Sequence, residues 1–388
     1  MTARRITAFP PRILKDRNPY ARLLYGELEQ VGFETIDASP LESKWLLRAR
    51  RHVDILHFHW DPQQKYVQRS PDRVTLLLRR LRSERLVPWW DVVSFVTRLA
   101  LARTLGYRLV WTIHEIRPHE SNHARHDILA SRALARLSHL LLAHDAATAE
   151  RAREELGLPA AKIHVVPHGS YVDAYPAGRP RDIVRSELGV PPDTFVFLAF
   201  GHLRAYKDFP LLLEAFASLP SPSARLIIAG VPWDAAMRKV VSVAAERDSR
   251  ILLMLEPVPA ERVEELFKAS DVAVFPRGDG WTSGSLILAM SMGIPVIAAR
   301  QPTYAELMDD ETAGWLFEAG DVRALRECLS RAAADPEHAR RKGASALDLA
   351  RRMSWARSAA MTGRLIARIG EKSTDRQAIA VTSTMHNS

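Results

Sequence analysis

Short apolar runs alternate with amphipathic helical runs along most of the chain of 388 residues. In the first half, the runs 53–60, 108–115 and 162–169 are typical of buried strands, and the segments 19–32 and 127–138 between them have the periodicity of helices. The same theme restarts at about residue 195, with strand-like runs such as TFVFLAFG and ARLIIAG. This alternation predicts an α/β fold with parallel sheets.

The two halves are separated by a stretch rich in proline and turn-forming residues, YVDAYPAGRPRDIVRSELGVPPD. We therefore predict an N-terminal domain over 1–180 and a second domain over 181–355. The segment 356–372 is predicted to be a helix returning to the first domain, and the polar, aperiodic segment 373–388 a disordered tail. Two doubly wound domains facing a cleft would place ligands outside the carboxyl ends of their strands.

In the second half, GHLRAYKDF follows a predicted strand and brings two cations before an apolar helix. Gly201 turns the chain, His202 follows it, and Arg204 and Lys207 would lie at the carboxyl end of the strand. Arg204 could bind a diphosphate through paired hydrogen bonds, and Lys207 would add a point charge. The alternative is a solvated basic turn.

A second turn in this half has the character of an anion site. Ser283, Gly284 and Ser285 follow another strand and open an apolar helix, where free N–H groups and the helix dipole favour a phosphate. No lysine follows Gly284, so the turn is not the P-loop of an ATPase. We expect the turn and the two cations to bind one diphosphate together.

The first half offers histidines and carboxylates at strand ends instead. Its candidates for a general acid or base are His114, Glu115, Asp61, His119 and Glu120. Further residues expected to line the cleft are His57, His59, His168 and Gly169. A zinc site would suit His-x-His, but no HExxH helix accompanies it, so we expect no metal. The alternative for each residue is a polar side chain that caps a strand or helix.

The composition and net charge of the chain indicate its partners and its cellular compartment. The formal net charge is +9 and Cys328 is the single cysteine, so anionic partners and a reducing, cytoplasmic compartment are expected. We predict no signal peptide or transmembrane helix, and no nucleic-acid-reading motif is present. The basic segment 68–106, with Trp89 and Trp90, suits either an anionic membrane surface or packed helices with a solvated arginine face.

The strand-end clusters described above, and their order along the chain, resemble those of the GT-B glycosyltransferases, in particular the large bacterial mannosyl- and glucosyltransferase superfamily. The segments that carry the resemblance are IHVVPHGSY, GHLRAYKDF, ARLIIAG, VPAERVEELFKASDVAVFPR, SGSLILAMSMGIPVIA and MSWARSAAMTGRLIARI. NPYARLLYGEL, ILHFHW and TIHEIRPHE are similar to segments of the xanthan-type β-mannosyltransferases of exopolysaccharide assembly. The resemblance implies two Rossmann-like domains, an acceptor-binding one over 1–180 and a nucleotide-sugar-binding one over 181–355. It also implies that His114 serves in sugar binding or catalysis.

The same resemblance implies transfer of mannose from GDP-mannose to a lipid-linked oligosaccharide by an enzyme peripheral to the inner face of the plasma membrane, with no metal cofactor. Three departures bear on the mechanism. The superfamily's two glutamates fall on Gly280 and Leu288, its arginine after the strand-end glycine falls on His202, and its N-terminal glycine-rich loop is missing. The missing glutamates fit an inverting enzyme at least as well as a retaining one, and we predict inversion. The alternatives are a retaining α-glycosyltransferase with another donor, and a non-catalytic nucleotide-sugar-binding regulator.

Overall fold

The computed structural model describes residues 4–11, 19–60, 86–116, 123–278, 280–309 and 311–384, together with the single positions 74 and 77. The chain divides into two compact units, one of Met1–His168 with Trp355–Ser388 and one of Gly169–Ser354. Each unit contains a parallel six-stranded sheet flanked by helices, so the predicted α/β class is confirmed.

The first unit has its strands in the order β2-β1-β3-β4-β5-β6. Its central strands are buried on both faces, which is why their sequences are largely apolar. The buried polar exceptions are His57 and His59 on β3 and Thr112 on β4. Its elements up to residue 168 are β1 (Arg4–Phe9), α1 (Tyr20–Gln30), β2 (Phe33–Ile36), α2 (Ser43–Ala49), β3 (Ile55–His59), α3 (Val87–Thr104), β4 (Arg108–Ile113), α4 (Ala124–Leu137), β5 (Leu140–Ala143), α5 (Ala146–Leu156) and β6 (Ile163–Val165).

The second unit has its strands in the order β12-β11-β10-β7-β8-β9. Strand order reverses between β7 and β10, and this is the place where open α/β sheets bind ligands. Its elements are α6 (Arg181–Glu187), β7 (Val196–Phe200), α7 (Phe209–Ala217), β8 (Arg225–Ala229), α8 (Ala235–Arg247), β9 (Ile251–Met254), α9 (Ala260–Ala269), β10 (Val272–Phe275), α10 (Gly284–Ser291), β11 (Val296–Ala299), α11 (Pro302–Leu307), β12 (Gly314–Phe317), α12 (Val322–Ala334) and α13 (Pro336–Arg351).

The last helix, α14 (Trp355–Thr384), belongs to the first unit and packs against α1. It continues to Thr384, where the sequence led us to expect a disordered tail from residue 373. No proline or glycine follows Gly370, so nothing in the sequence terminates the helix there. Residues 385–388 of the predicted tail lie outside the described part of the chain.

The units separate after His168, not near residue 180. The turn-rich stretch expected to be a linker is bonded to the second unit: Tyr171 N–H donates to Ser291 Oγ at 2.9 Å, and Arg179 Nε donates to Glu265 Oε1 at 2.6 Å. Because these bonds fix the stretch locally, its proline and glycine content marks shaped turns in that unit and not a free connection.

Of the basic segment 68–106, the structure describes two isolated positions and residues 86–106, which are mostly α3. Arg98 is buried, whereas Leu86, Trp89 and Val93 are about half exposed. These three lie at spacings of three and four residues, so they share one face of the helix. Arg79, Arg80, Arg82 and Arg85 lie outside the described residues. No helix in the described part of the chain combines the length and apolar character needed to cross a bilayer.

Candidate functional site

In the first unit, histidines follow four neighbouring strands. His57 and His59 end β3, His114 follows β4, His144 follows β5 and His168 follows β6. Because β3, β4, β5 and β6 are adjacent in a parallel sheet, their carboxyl ends meet at one edge. The sequence predicted four of these five rings as site residues and missed His144, although it follows β5 directly, as His114 follows β4.

The expected shared face of His57 and His59 is present, and Tyr25 of α1 lies against it. The Tyr25 hydroxyl is 2.8 Å from His57 Nδ1 and 3.0 Å from His59 Nε2. All three residues are buried. Burial raises the pKa of Tyr25 well above its ordinary value, so its hydroxyl keeps its proton.

His114 lies at the centre of this cluster. Its ring stacks on Trp60 at 4.8 Å between centroids, and its Nε2 is 3.4 Å from His59 Nδ1. Burial lowers the pKa of His114 well below the ordinary value, and the nearby His144, His168 and His57 lower it further. The imidazole is therefore neutral at physiological pH.

Tyr20, the first residue of α1, joins the other half of the cluster. Its hydroxyl is 3.0 Å from His144 Nε2, and its ring lies 5.2 Å from the rings of both His168 and Trp355. His144 Nδ1 lies 3.0 Å from the carbonyl oxygen of Val166, so this nitrogen carries the hydrogen and Tyr20 donates to Nε2. Burial lowers the pKa of His144 as well.

Of the candidate bases, the structure describes only Glu115, which is partly buried directly after His114. Asp61, His119 and Glu120 lie outside the described residues. The choice among these carboxylates and His119 therefore stays a prediction.

In the second unit, the strand-end turn and the helix-opening turn converge. Gly201 follows β7 with φ +102°, a conformation that favours glycine. A Cβ at this position would lie 3.2 Å from Lys207 Nζ and 3.4 Å from Ser285 Oγ. The lysine and the first turn of α10 thus meet beside a glycine that leaves the backbone open to close approach. Ser283 caps α10, its Oγ accepting from the N–H of Leu286 at 3.3 Å.

Three cationic side chains, those of Arg204, Lys207 and Arg277, lie near the turn after β7. The Arg204 guanidinium lies 4.0 Å from the ring centroid of Trp233, and that of Arg277 lies 4.7 Å from the ring centroid of Tyr206. Burial, with Arg277 and Arg204 adding to it, lowers the pKa of Lys207 to about 8. Like charges gathered in this way indicate a site for an anion. His202 beside them has an exposed side chain. Its ring is nevertheless partly removed from water by its surroundings, which lowers its pKa, and the neighbouring cations Lys207 and Arg204 lower it further.

The sequence did not predict Arg277, which lies two residues after β10. Arg277 lies near the turn after β7 because β10 and β7 are neighbours in the sheet, and no local sequence signal gives that strand order. A cavity of about 30 Å³ lies beside Lys207, Arg277, Ser283 and Ser285.

The two positions where a glutamate was expected have close neighbours in the structure. A Cβ on Gly280 would lie 2.8 Å from both amide atoms of Gln301 and 2.9 Å from Arg277 Nε, and Leu288 is buried in α10. Gln301 is itself buried, and its Nε2 has no hydrogen-bond partner within the described residues. A buried amide without a partner is a candidate ligand group, and sequence reasoning missed it.

Across the described residues, no three His, Cys, Asp or Glu side chains are placed to hold a metal ion. Absence of a metal from the reaction remains a prediction. Gly169, expected in the cleft, is buried at the start of the second unit.

Family models match both halves of the chain. The model described as Glycosyltransferase Family 4 matches residues 19–173, and the model described as Glycosyl transferases group 1 matches residues 180–347. Together they span residues 19–347 except for 174–179.

Among characterised proteins, a GDP-mannose:glycolipid 4-beta-D-mannosyltransferase of Xanthomonas campestris pv. campestris is 27% identical over 304 residues, which are 77% of this chain and 75% of that protein. A D-inositol 3-phosphate glycosyltransferase of Nocardia farcinica is 29% identical over 223 residues, 55% of this chain and 49% of that protein.

Two solved structures share the fold. HepE of Anabaena, in complex with UDP, superposes with a TM-score of 0.69 at 16% identity, covering 94% of this chain and 100% of that one. Sucrose-phosphate synthase of Thermosynechococcus elongatus gives 0.73 at 17% identity, covering 95% of this chain and 100% of that one. The two sheets, the two family matches and these relatives identify the chain as a GT-B glycosyltransferase, a hexosyltransferase that uses a nucleotide sugar as donor.

Proposed function

We propose that the protein transfers mannose from GDP-mannose to a lipid-linked oligosaccharide, inverting the anomeric centre, as a step in exopolysaccharide or glycolipid synthesis. The observation that carries the proposal is the length of the match to the Xanthomonas mannosyltransferase. Its 304 residues exceed either unit of this chain, so the likeness includes parts of both. The match to the D-inositol 3-phosphate glycosyltransferase of Nocardia farcinica is shorter, at 223 residues.

The diphosphate of the donor is assigned to the second unit. Arg204, Lys207 and Arg277 offset its charge, and the first turn of α10, residues Ser283, Gly284 and Ser285, offers N–H groups and a positive dipole end. When the glycosidic bond to the donor breaks, negative charge grows on the leaving diphosphate. Cations already fixed around it stabilise that charge without reorganising, and no metal is needed for this role.

The first unit is assigned to the acceptor, with His114 contacting a sugar. Inversion requires a base that removes the proton of the attacking hydroxyl. We propose that a carboxylate serves, from Asp61, Glu115 and Glu120, with His119 as the remaining candidate. The loss of both superfamily glutamates supports inversion, because Gly280 and Leu288 offer no carboxylate beside the donor sugar.

A peripheral position on an anionic membrane surface follows from the acceptor. The exposed face of Leu86, Trp89 and Val93 on α3 has the aromatic and aliphatic character of an interfacial anchor. Formal net charge of +9 would add attraction to anionic headgroups.

The test is a thermal-shift screen of GDP, UDP, ADP and dTDP and their sugars, followed by transfer to a lipid-linked oligosaccharide. Stabilisation by GDP-mannose above the other donors and a β-linked product by NMR are expected. An α-linked product would refute inversion, and preference for another base or sugar would refute the donor. Tight nucleotide binding with no turnover of any donor would favour a regulator instead.

A further inference from the structure

Hydrogen bonds join five side chains of the first unit into one chain. Thr112 Oγ1 lies 2.8 Å from His57 Nε2, and His57 Nδ1 lies 2.8 Å from the Tyr25 hydroxyl. That hydroxyl lies 3.0 Å from His59 Nε2, and His59 Nδ1 lies 3.4 Å from His114 Nε2. The first four residues are buried, so water does not compete along the chain.

The chain admits two arrangements of its hydrogens. A neutral imidazole has one N–H donor and one acceptor nitrogen, and a hydroxyl donates a single hydrogen, so the direction of one bond sets the direction of all. In one arrangement all three histidines carry hydrogen on Nε2, and His114 Nδ1 is an acceptor. In the other all three carry it on Nδ1, and His114 Nδ1 is a donor.

The Thr112 end of the chain distinguishes the two arrangements. Within the described residues, the hydrogen-bond partner of the Thr112 hydroxyl is His57 Nε2. If Thr112 donates to that nitrogen, every donor in the chain has an acceptor. The reverse direction leaves a buried hydroxyl hydrogen without one, which is unfavourable.

The other end of the chain is His114 Nδ1, which has no hydrogen-bond partner within the described residues. We propose that Thr112, His57, Tyr25 and His59 fix His114 in its Nδ1–H tautomer, and that His114 uses this N–H as a hydrogen-bond donor to a sugar hydroxyl. The identity of that ligand rests on the proposed function, whereas the tautomer does not. An N–H donor cannot accept the acceptor's proton, so His114 is not the base, and Tyr25 and Thr112 are positioning residues.

The tautomer is read directly by ¹⁵N NMR of the full chain labelled at histidine, with His114→Asn identifying the His114 signals by their loss. Wild-type His114 is expected to carry hydrogen on Nδ1. Tyr25→Phe removes the hydroxyl between the two histidines, and the His114 hydrogen should move to Nε2, where His59 Nδ1 can then accept it. Tyr107→Phe is the matched control, because the Tyr107 hydroxyl is buried in the same unit and donates to Leu46 O at 2.7 Å.

A second pair of variants acts at the far end of the chain. Thr112→Val removes the donor with little change of shape and should mix the two His114 tautomers, whereas Thr112→Ser should keep the Nδ1–H form. An Nε2–H tautomer in the wild type would overturn the proposal. So would a His114 signal that ignores both Tyr25→Phe and Thr112→Val.

Kinetics then tests the donor role. Tyr25→Phe is expected to lower kcat/KM about tenfold, the value of roughly one hydrogen bond, with Tyr107→Phe unchanged. His114→Asn keeps an N–H donor near the position of Nδ1 and should retain more activity than His114→Ala. Equal inactivity of the two variants would indicate a base and overturn the donor role. If GDP-mannose is not a substrate, the proposed function fails while the NMR result stands.

Discussion

The two units concentrate polar chemistry at the carboxyl ends of their strands in opposite ways. In the second unit the groups are cations, Arg204, Lys207 and Arg277, held close enough that burial and mutual repulsion lower the pKa of Lys207 to about 8. In the first unit they are histidines, three of them hydrogen-bonded to tyrosines, and burial lowers the pKa of His114 and His144. The second unit thus brings positive charges together, whereas the first unit brings together hydrogen-bonded histidine and tyrosine side chains.

The largest effect is expected from removing a cation. Lys207→Ala should lower kcat/KM roughly 10²- to 10³-fold, which corresponds to about 2.7–4 kcal/mol of transition-state stabilisation. The reason is that the variant lacks the positive charge that Lys207 places beside the leaving diphosphate. Binding of nucleoside diphosphate by calorimetry should weaken too. Lys239→Ala, at an exposed lysine of α8, is the control. Unchanged diphosphate affinity in Lys207→Ala would contradict the assignment of the anion site.

The same lysine predicts a pH dependence. Lys207 carries its charge below a pKa of about 8 and loses it above, so kcat/KM for the donor should fall as pH rises through about 8. Lys207→Arg keeps the charge at higher pH and should move this fall upward. A profile that is flat to pH 9.5 in the wild type would mean that Lys207 does not act through its charge.

Lowering the pH should destabilise the first unit before the second. His114 and His144 have lowered pKa values when folded, so the unfolded chain binds more protons and the first unit loses stability as pH falls below the ordinary histidine pKa of about 6.5. In the second unit, ion pairing with Arg179 lowers the pKa of Glu265 to about 2. Its stabilisation is complete above the ordinary carboxyl range and is lost as pH falls from about 4.5 toward 2.

Hydrogen exchange read by mass spectrometry from pH 7 to pH 4 checks this order. Exchange should rise first in β3, β4 and β5 of the first unit. Glu265→Gln should weaken the second unit at neutral pH and leave the onset of exchange in the first unit near pH 6 unchanged. Simultaneous opening of both units near pH 6 would contradict the histidine explanation.

The smallest effect concerns the membrane. Trp89→Ser should reduce flotation with anionic liposomes a few-fold, because about half of this side chain is exposed on α3 and available to a bilayer surface. Trp233→Ser, at a similarly exposed tryptophan of the second unit, is the matched control and should float as the wild type does. Wild-type protein that stays with the unbound fraction would reject the membrane surface.

Local motifs explain why the second unit was the more predictable. Gly201, Lys207 and Ser285 lie in two short segments whose glycine, cation and helix start are visible in the sequence, and the structure brings them within a few ångströms. Arg277 and Gln301 were missed because their roles depend on which strands are neighbours, and strand order is not written locally.

In the first unit, the sequence predicted the strands and most of the histidines but not what they touch. Tyr20 and Tyr25 read as apolar positions of an amphipathic helix, yet their hydroxyls lie beside His144, His57 and His59. The domain boundary was misplaced for a related reason. Turn-forming residues near 175 look the same whether a stretch is free or bonded, and only the contacts of Tyr171 and Arg179 distinguish the two.

The path of the chain has a consequence for synthesis. The second unit is one continuous segment, whereas the first is built from both ends of the chain, with α14 packed against α1 and Trp355 against Tyr20. On the ribosome, residues 169–354 can therefore fold before the first unit has its last helix. The residues of the histidine cluster are synthesised early, but the contact of Tyr20 with Trp355 can form only after residue 355 has left the ribosome. A chain truncated before Trp355 would therefore contain a complete second unit and an incomplete first unit.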